Sequence, residues 1–208
     1  MLNNFNTVKG TAMTEIVIKK SRFLAFSFHV ENVDEAEALL KSVQKEHHKA
    51  THNTYAYILD PDGNTFKYSD DGEPSLTAGK PIYDCMKGLG MSNTLVVVTR
   101  YFGGTKLGTG GLVRAYAQSA KSVLDASTIV RMELHTCCRI ISDYSMIGTL
   151  QNYFSTFDLV VNNMDFTDNV LFDVSVNKDQ VDRFVKGYVE LSNGGDISCV
   201  GDIFVEKS

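Results

Sequence analysis

LVVVTRYFGGTKLGTGGLVRAY, residues 95–116, changes character twice. Leu95, Val96, Val97 and Val98 form a short β-branched run behind the polar Ser92-Asn93-Thr94, which predicts a buried strand closed by Arg100, Tyr101 and Phe102. Five glycines follow: Gly103, Gly104, Gly108, Gly110 and Gly111. Then Leu112, Val113, Tyr116, Ala120, Val123 and Leu124 recur at helical spacing, predicting a helix over 112–126. Strand, glycine loop and helix N-terminus together make a plausible anion site, because glycines permit positive φ and the first helical amides lack partners. Arg100, Lys106 and Arg114 surround it with positive charge. The spacing is neither GxxxxGK[ST] nor GxGxxG. The competing structural reading is that the glycines let strand and helix pack tightly round a corner.

Upstream, residues 15–19 and 23–30 read as two strands joined by a tight connection at Lys20-Ser21-Arg22. Asn32 or Asp34 caps a helix over 33–45, with Ala36, Leu39, Leu40 and Val43 in one stripe. Residues 54–59 and 65–68 are hairpin partners across the turn at Asp60-Pro61-Asp62-Gly63-Asn64. An acidic loop at 69–75 precedes a helix over 77–89, with Pro81 in its first turn.

Downstream, the elements fall in the order βαββαβ: strand 133–141, helix 146–157, strands 159–166 and 170–176, helix 178–191 and strand 197–205. That is the split-βαβ, ferredoxin-like order. The expected fold class is therefore α+β in two domains, 1–130 and 131–208, with a short linker at 128–132.

The composition, 43% hydrophobic and 22% charged over 208 residues, is that of an ordinary globular protein able to bury two cores. No apolar run approaches membrane-spanning length, and MLNNFNTVKG lacks a signal-peptide core, so the expectation is a cytoplasmic protein without membrane contact. Cys85, Cys137, Cys138 and Cys199 fit no metal or CxxC spacing and are expected as thiols. The net charge of −5 is unevenly shared. Residues 1–130 hold 14 Lys/Arg against 13 Asp/Glu, whereas residues 131–208 hold 6 against 12. Contact with a polyanion is therefore assigned to the first domain.

Other groups carry weaker signals. His48 and His52 are four apart, as on a zinc-binding helix face, but there is no HExxH, and polar surface roles are the plainer reading. Asp70, Asp71 and Glu73 are candidates for Mg²⁺, or simply a solvated acidic turn. Tyr55, Tyr57, Tyr68, Tyr101 and Phe102 lie beside basic residues, as in base-stacking proteins, although Tyr55 and Tyr57 also alternate as core residues of a strand would.

Lys20-Ser21-Arg22-Phe23, HKATHNTYAY at 48–57, SDDGEPSLTAG at 69–79 and TRYFGGTKLGTGGLVRAY at 99–116 are similar to the motifs of the YigZ/IMPACT family. The resemblance covers residues 16–126. It implies a first domain like the second domain of a small-subunit ribosomal protein, and a second like the last domain of elongation factor G. Both halves look like parts found near ribosomes, which implies association with RNA or the ribosome; eukaryotic relatives regulate translation in amino-acid starvation by competing for a partner of an initiation-factor kinase, but they carry a different extra domain, so that partner does not transfer. Asp70, Asp71, Gly72, Glu73 and Pro74 match the family's acidic loop. Arg100, Tyr101, Phe102, Gly103, Gly104, Gly108, Gly110, Gly111 and Arg114 match its signature. Leu76 stands where the family commonly has Gly, and Thr54 where it commonly has Cys.

The leading expectation is a non-enzymatic protein that binds RNA or ribosomes through Arg100, Lys106, Arg114 and the glycine-loop amides, without a cofactor; for Arg100 the sequence leaves open an internal ion pair with Asp70 or Glu73 in place of a ligand contact. The alternatives are an Mg²⁺-dependent enzyme acting on a phosphorylated or nucleotide-like small molecule, and a protein-interaction module whose signature serves the core.

Overall fold

The structure is a computed structural model that describes residues 3–207. The chain divides into two compact units, Met1–Arg131 and Met132–Ser208. The first contains β1 (Asn4–Lys9), β2 (Thr11–Ile18), β3 (Ser21–His29), α1 (Val33–Glu46), β4 (His52–Ile58), β5 (Phe66–Ser69), α2 (Gly79–Gly88), β6 (Thr94–Tyr101) and α3 (Thr109–Ala126). Five of these strands form an antiparallel sheet in the order β2-β3-β6-β4-β5.

Strand alternation explains the layering. Leu95 and Val97 of β6, with Tyr55 and Tyr57 of β4, face α1 through Ala36, Leu40 and Val43. Val96 and Val98, with Phe23, Ala25 and Ala56, face α2 and α3 through Ile82, Met86, Leu112, Tyr116 and Leu124. Both faces of β6 are thus buried, as its unbroken apolar run requires. Each large side chain on these faces contributes on the order of 1.5–3 kcal/mol of burial. Tyr55 and Tyr57 belong to this core.

Local chemistry sets the ends of the elements. Asn32 accepts the Glu35 amide, and the Glu35 carboxylate takes the Glu31 amide, which fixes the start of α1. The connection between β2 and β3 is a two-residue turn at Lys19-Lys20, both at positive φ, with Ile18 opposite Ser21. It lies earlier than the expected Lys20-Ser21-Arg22, and Ser21 and Arg22 are already strand. α3 begins at Thr109 rather than Leu112, because the helix starts inside the glycine run. β1 has no counterpart among the expected strands: only Phe5 and Val8 mark it as apolar, and Asn6 is held by backbone bonds to Gly90 and Ser92.

The second unit is built from β7 (Thr128–Ser142), α4 (Ile147–Phe154), β8 (Leu159–Phe166), β9 (Val170–Asn177), α5 (Val181–Leu191) and β10 (Ile197–Glu206). Residues 128–132, expected as a linker, are the start of β7. The pairings run β8-β9-β7-β10, all antiparallel, which is the ferredoxin-like strand order. Leu150 and Phe154 of α4 and Phe184 and Tyr188 of α5 pack on Ile140, Val170, Phe172, Val174 and Val176. The cysteines depart from expectation. β7 and β10 bring Cys138 opposite Cys199, and the two form a disulfide, leaving Cys85 and Cys137 as free thiols. The pair stands 61 positions apart in the chain, so only the register of the first and last strands of the unit could reveal it. Among the described residues no helix is long and apolar enough to cross a membrane.

Candidate functional site

Arg100 sits at the C-terminal end of β6, with His52 of β4 opposite it on one side and Phe23 of β3 on the other. It has the same parity as Val96 and Val98, so its side chain turns into the α2/α3 face. There it is only 5% exposed. Its Nη1 donates to Glu73 Oε1 at 2.7 Å, and Glu73 is itself 8% exposed. The Tyr116 hydroxyl of α3 donates to the same oxygen at 2.6 Å. Arg100 Nη2 reaches Ser21 Oγ at 3.3 Å, and Arg100 Nε is buried with no hydrogen-bond partner. The guanidinium carbon lies 5.4 Å from the ring centres of both Phe23 and Phe102. The cation is therefore held by one carboxylate and two aromatic faces. Burial, followed by the bond to Glu73, pushes the Tyr116 phenol far above its ordinary pKa.

The acidic loop is organised by its own backbone. Asp70 accepts the amides of Leu76, Ala78 and Gly79 at 2.7, 2.9 and 2.9 Å, which closes the loop and caps α2. Asp71 accepts the Asn53 amide at 2.6 Å. The three carboxylates expected as a Mg²⁺ set thus face different partners, and only Glu73 looks into the site. Leu76, at the position where the family pattern has Gly, adopts φ 62°, the left-handed region that glycine tolerates best.

The histidines separate. α1 ends at Glu46, so His48 lies in a turn against the Lys45 carbonyl, while His52 belongs to β4. His48 and His52 do not share a helix face. His52 Nδ1 lies 2.8 Å from the Asp71 carbonyl and must donate to it, which turns Nε2 toward Glu73 at 3.7 Å. It is His47 that reaches a signature residue, through Tyr101 Oη at 2.9 Å.

The glycine loop has two roles. Gly103 packs directly on the Lys20–Ser21 peptide: an added Cβ would lie 2.0 Å from the Lys20 carbonyl, and the Gly103 amide donates to Ser21 Oγ at 3.1 Å. This is the tight corner that the structural reading of the glycines expected. Beyond it, Gly104, Lys106 and Gly108–Gly110 are exposed. Gly108, at φ 75°, is the N-cap of α3 and leaves the first-turn amides without a side-chain cap. Arg114 is exposed one turn into the helix. His52, Glu73, Arg100, Phe102, Lys106 and Thr109 are among the residues that line a cavity of about 390 Å³ beside this terminus.

Arg100 thus borders the cavity from within, with its charge paired to Glu73, while Lys106 and Arg114 carry the exposed charges near the α3 amides. Ser21, Phe23 and Tyr116 belong to the site; all three lie in stretches that carry the family resemblance, but none was a candidate site residue. Tyr116 was legible in principle, because a phenol in an apolar stripe needs a buried acceptor.

These features define an α+β protein whose first unit ends its central strand in a buried Arg–Glu–Tyr cluster under a glycine-rich helix start. Residues 19–124 match the Impact N-terminal domain, and residues 140–194 match a domain of unknown function, DUF1949. The chain is 35% identical over its whole length to the IMPACT family member YvyE of Bacillus subtilis, covering 96% of that protein. It is 34% identical over 85% of its length to the IMPACT family member YigZ of Escherichia coli, covering 88% of that protein. A solved structure titled as a hypothetical protein superimposes with a TM-score of 0.64 at 30% identity, covering all of both chains. The chain belongs to the YigZ/IMPACT family.

Proposed function

We propose that the first unit binds RNA, in the context of the ribosome or translation factors, at the N-terminus of α3. The observation that carries this reading is Phe102. Its ring rests on the buried Arg100 guanidinium, yet it stays 48% exposed beside Lys106 and the uncapped amides. A rigid aromatic face next to phosphate-binding groups is what single-stranded RNA uses. Lys106 and Arg114 make no ion pair among the described residues, so both charges are available to phosphates. Phe102, Lys106, Gly108, Gly110, Gly111 and Arg114 are the contact residues in this reading, with Arg100 and Tyr101 as their support.

The test is binding of labelled single-stranded RNA, and co-sedimentation with ribosomes, across a salt series. Each phosphate contact contributes a slope of about −0.7 in log K against log salt. Lys106→Glu/Arg114→Glu is expected to flatten the slope by about 1.4, and Phe102→Ala to weaken binding by about 1–3 kcal/mol. Absence of binding at low salt, or the same affinity in all variants, refutes the proposal. One observation favours a second reading: His52 Nε2, Lys106 and Thr109 converge on one cavity, which suits a phosphorylated small molecule. A rise in melting temperature with nucleotides or sugar phosphates, lost in Lys106→Glu, would select it. Because Asp70 and Asp71 are engaged by amides, Mg²⁺ in that case would arrive with the phosphate rather than on a preformed carboxylate site.

A further inference from the structure

The second unit places Glu133, His135 and Asp158 so that one ligand atom from each lies within 4.8 Å of the others. Glu133 and His135 are two apart on β7 and therefore point to the same face. Asp158 comes from the turn immediately before β8. We propose that these three side chains form a binding site for one divalent transition-metal ion of the Zn²⁺, Mn²⁺ or Fe²⁺ type.

Three observations support this. First, His135 is 4% exposed and its Nδ1 donates to the Ser175 carbonyl at 3.0 Å. That bond fixes the tautomer and leaves Nε2 as a lone-pair donor, which is how metal-binding histidines are oriented. Second, the carboxylates share an outer partner. Asn177 Nδ2 donates to Glu133 Oε2 at 3.2 Å and to Asp158 Oδ2 at 3.4 Å, while its Oδ1 accepts the Asp179 amide at 3.1 Å. The Asp158 backbone is fixed in turn by the Gln180 side chain and the Asn177 amide. Third, a cation already sits at the cluster: Lys207 Nζ is 2.9 Å from Glu133 Oε1, on a side chain that is 52% exposed. Its exposed stem lets it swing away.

The donor set sets the class of ion. Ca²⁺ and Mg²⁺ take all-oxygen shells, whereas an imidazole with two carboxylates suits first-row transition ions. With bonds of about 2.0–2.2 Å, tetrahedral ligand atoms lie roughly 3.4 Å apart, so closing a spacing of within 4.8 Å needs movement of up to about 1.4 Å. Three protein ligands leave further positions for water or a bound group. Two carboxylates neutralise the ion, and Lys207 is released when it binds.

The experiment uses the full-length, tag-free protein, stripped with chelator. Zn²⁺ and Mn²⁺ are titrated calorimetrically, and Co²⁺ is followed by its visible absorption. One ion per chain is expected. Asp158→Asn should weaken binding at least tenfold without changing the melting temperature of the metal-free protein, and His135→Gln should weaken it further. Lys207→Met should bind several-fold tighter, because the competing ammonium is gone. Lack of stoichiometric binding at millimolar metal overturns the proposal, as does parental affinity in Asp158→Asn. Should His135→Gln not fold, the exposed Asp158→Asn decides alone.

Discussion

Replacing Glu73 with Gln removes a charge and almost no volume, so it isolates the electrostatic role of the buried pair. In the parent, Arg100 has one anionic partner, at 2.7 Å, and its Nε has no hydrogen-bond partner at all. After the substitution a guanidinium that is 5% exposed keeps only an amide oxygen, Ser21 Oγ and two aromatic faces. Removing one member of a buried pair costs about 3–5 kcal/mol, because the other charge is left uncompensated. Tyr116 loses a charged acceptor as well, worth roughly a further 1 kcal/mol. For a unit of this size, 1 kcal/mol moves the midpoint by about 3–6 °C. The transition of the first unit should therefore fall by at least about 10 °C in calorimetry, while that of the second unit stays in place. Arg100→Met/Glu73→Leu should recover most of the loss, since an apolar pair of similar volume replaces a buried ion pair at little net cost. A Glu73→Gln protein melting within 2 °C or so of the parent would refute the reasoning, since water would then have to reach Arg100. The same logic disqualifies charge reversal at Arg100 as a probe of binding, because unfolding and lost contact would look alike.

Four further outcomes follow from the geometry. Leu76→Gly relieves a left-handed residue that is 55% exposed, and should raise stability by up to about 1 kcal/mol in urea titration; a loss would show that the leucine side chain contributes more than its strain. Gly103→Ala must push the Lys20–Ser21 turn away, and should cost several kcal/mol, about 3 or more, whereas Gly104→Ala, with open space around it, should lose only the smaller backbone cost; equal effects would contradict the packing. Tyr116, its phenol held up by burial and by Glu73, should stay protonated in spectrophotometric titration until the first unit unfolds. Since its folded pKa is raised, its stabilising contribution is complete below the unfolded value of about 10 and declines as pH rises above it, so alkaline denaturation should be less steep in Tyr116→Phe. Reduction of Cys138–Cys199, which closes a loop across a separation of 61, should lower the second unit's stability by about 4 kcal/mol on the chain-entropy estimate and raise the accessible thiols from two to four in denaturant.

The sequence announced its elements more clearly than their partners. The run Leu95–Val98 and the stripe at Leu112, Tyr116 and Val123 report burial directly, so β6 and α3 could be located from periodicity. β8 was legible to the residue, because Leu159 and Phe166 sit between clear turn residues. The sequence left the direction of Arg100 open between a ligand and an internal pair with Asp70 or Glu73. A basic residue before a glycine loop looks like an anion ligand, and only the strand parity combined with the position of Glu73 shows that it turns inward and that Glu73 is its partner. Asp70 read as a metal candidate for a related reason: a carboxylate that caps a helix and one that awaits an ion look the same until the amides of Ala78 and Gly79 are seen to converge on it. The Cys138–Cys199 pairing and the Glu133–His135–Asp158 cluster depend on long-range register, which no local pattern encodes.

The double cover on the five-stranded sheet limits how a polynucleotide could lie on this unit. With α1 over β4 and β6 on one side and α2 and α3 on the other, the central strands present no bare face across which bases could be spread, and the open side chains Met13 and Val17 lie out on the edge strand β2. A ligand approaching the C-terminal end of β6 meets a rim. On the RNA reading proposed above, such a rim would grip a bend, a terminus or a single everted nucleotide and leave the flanking strand in solvent.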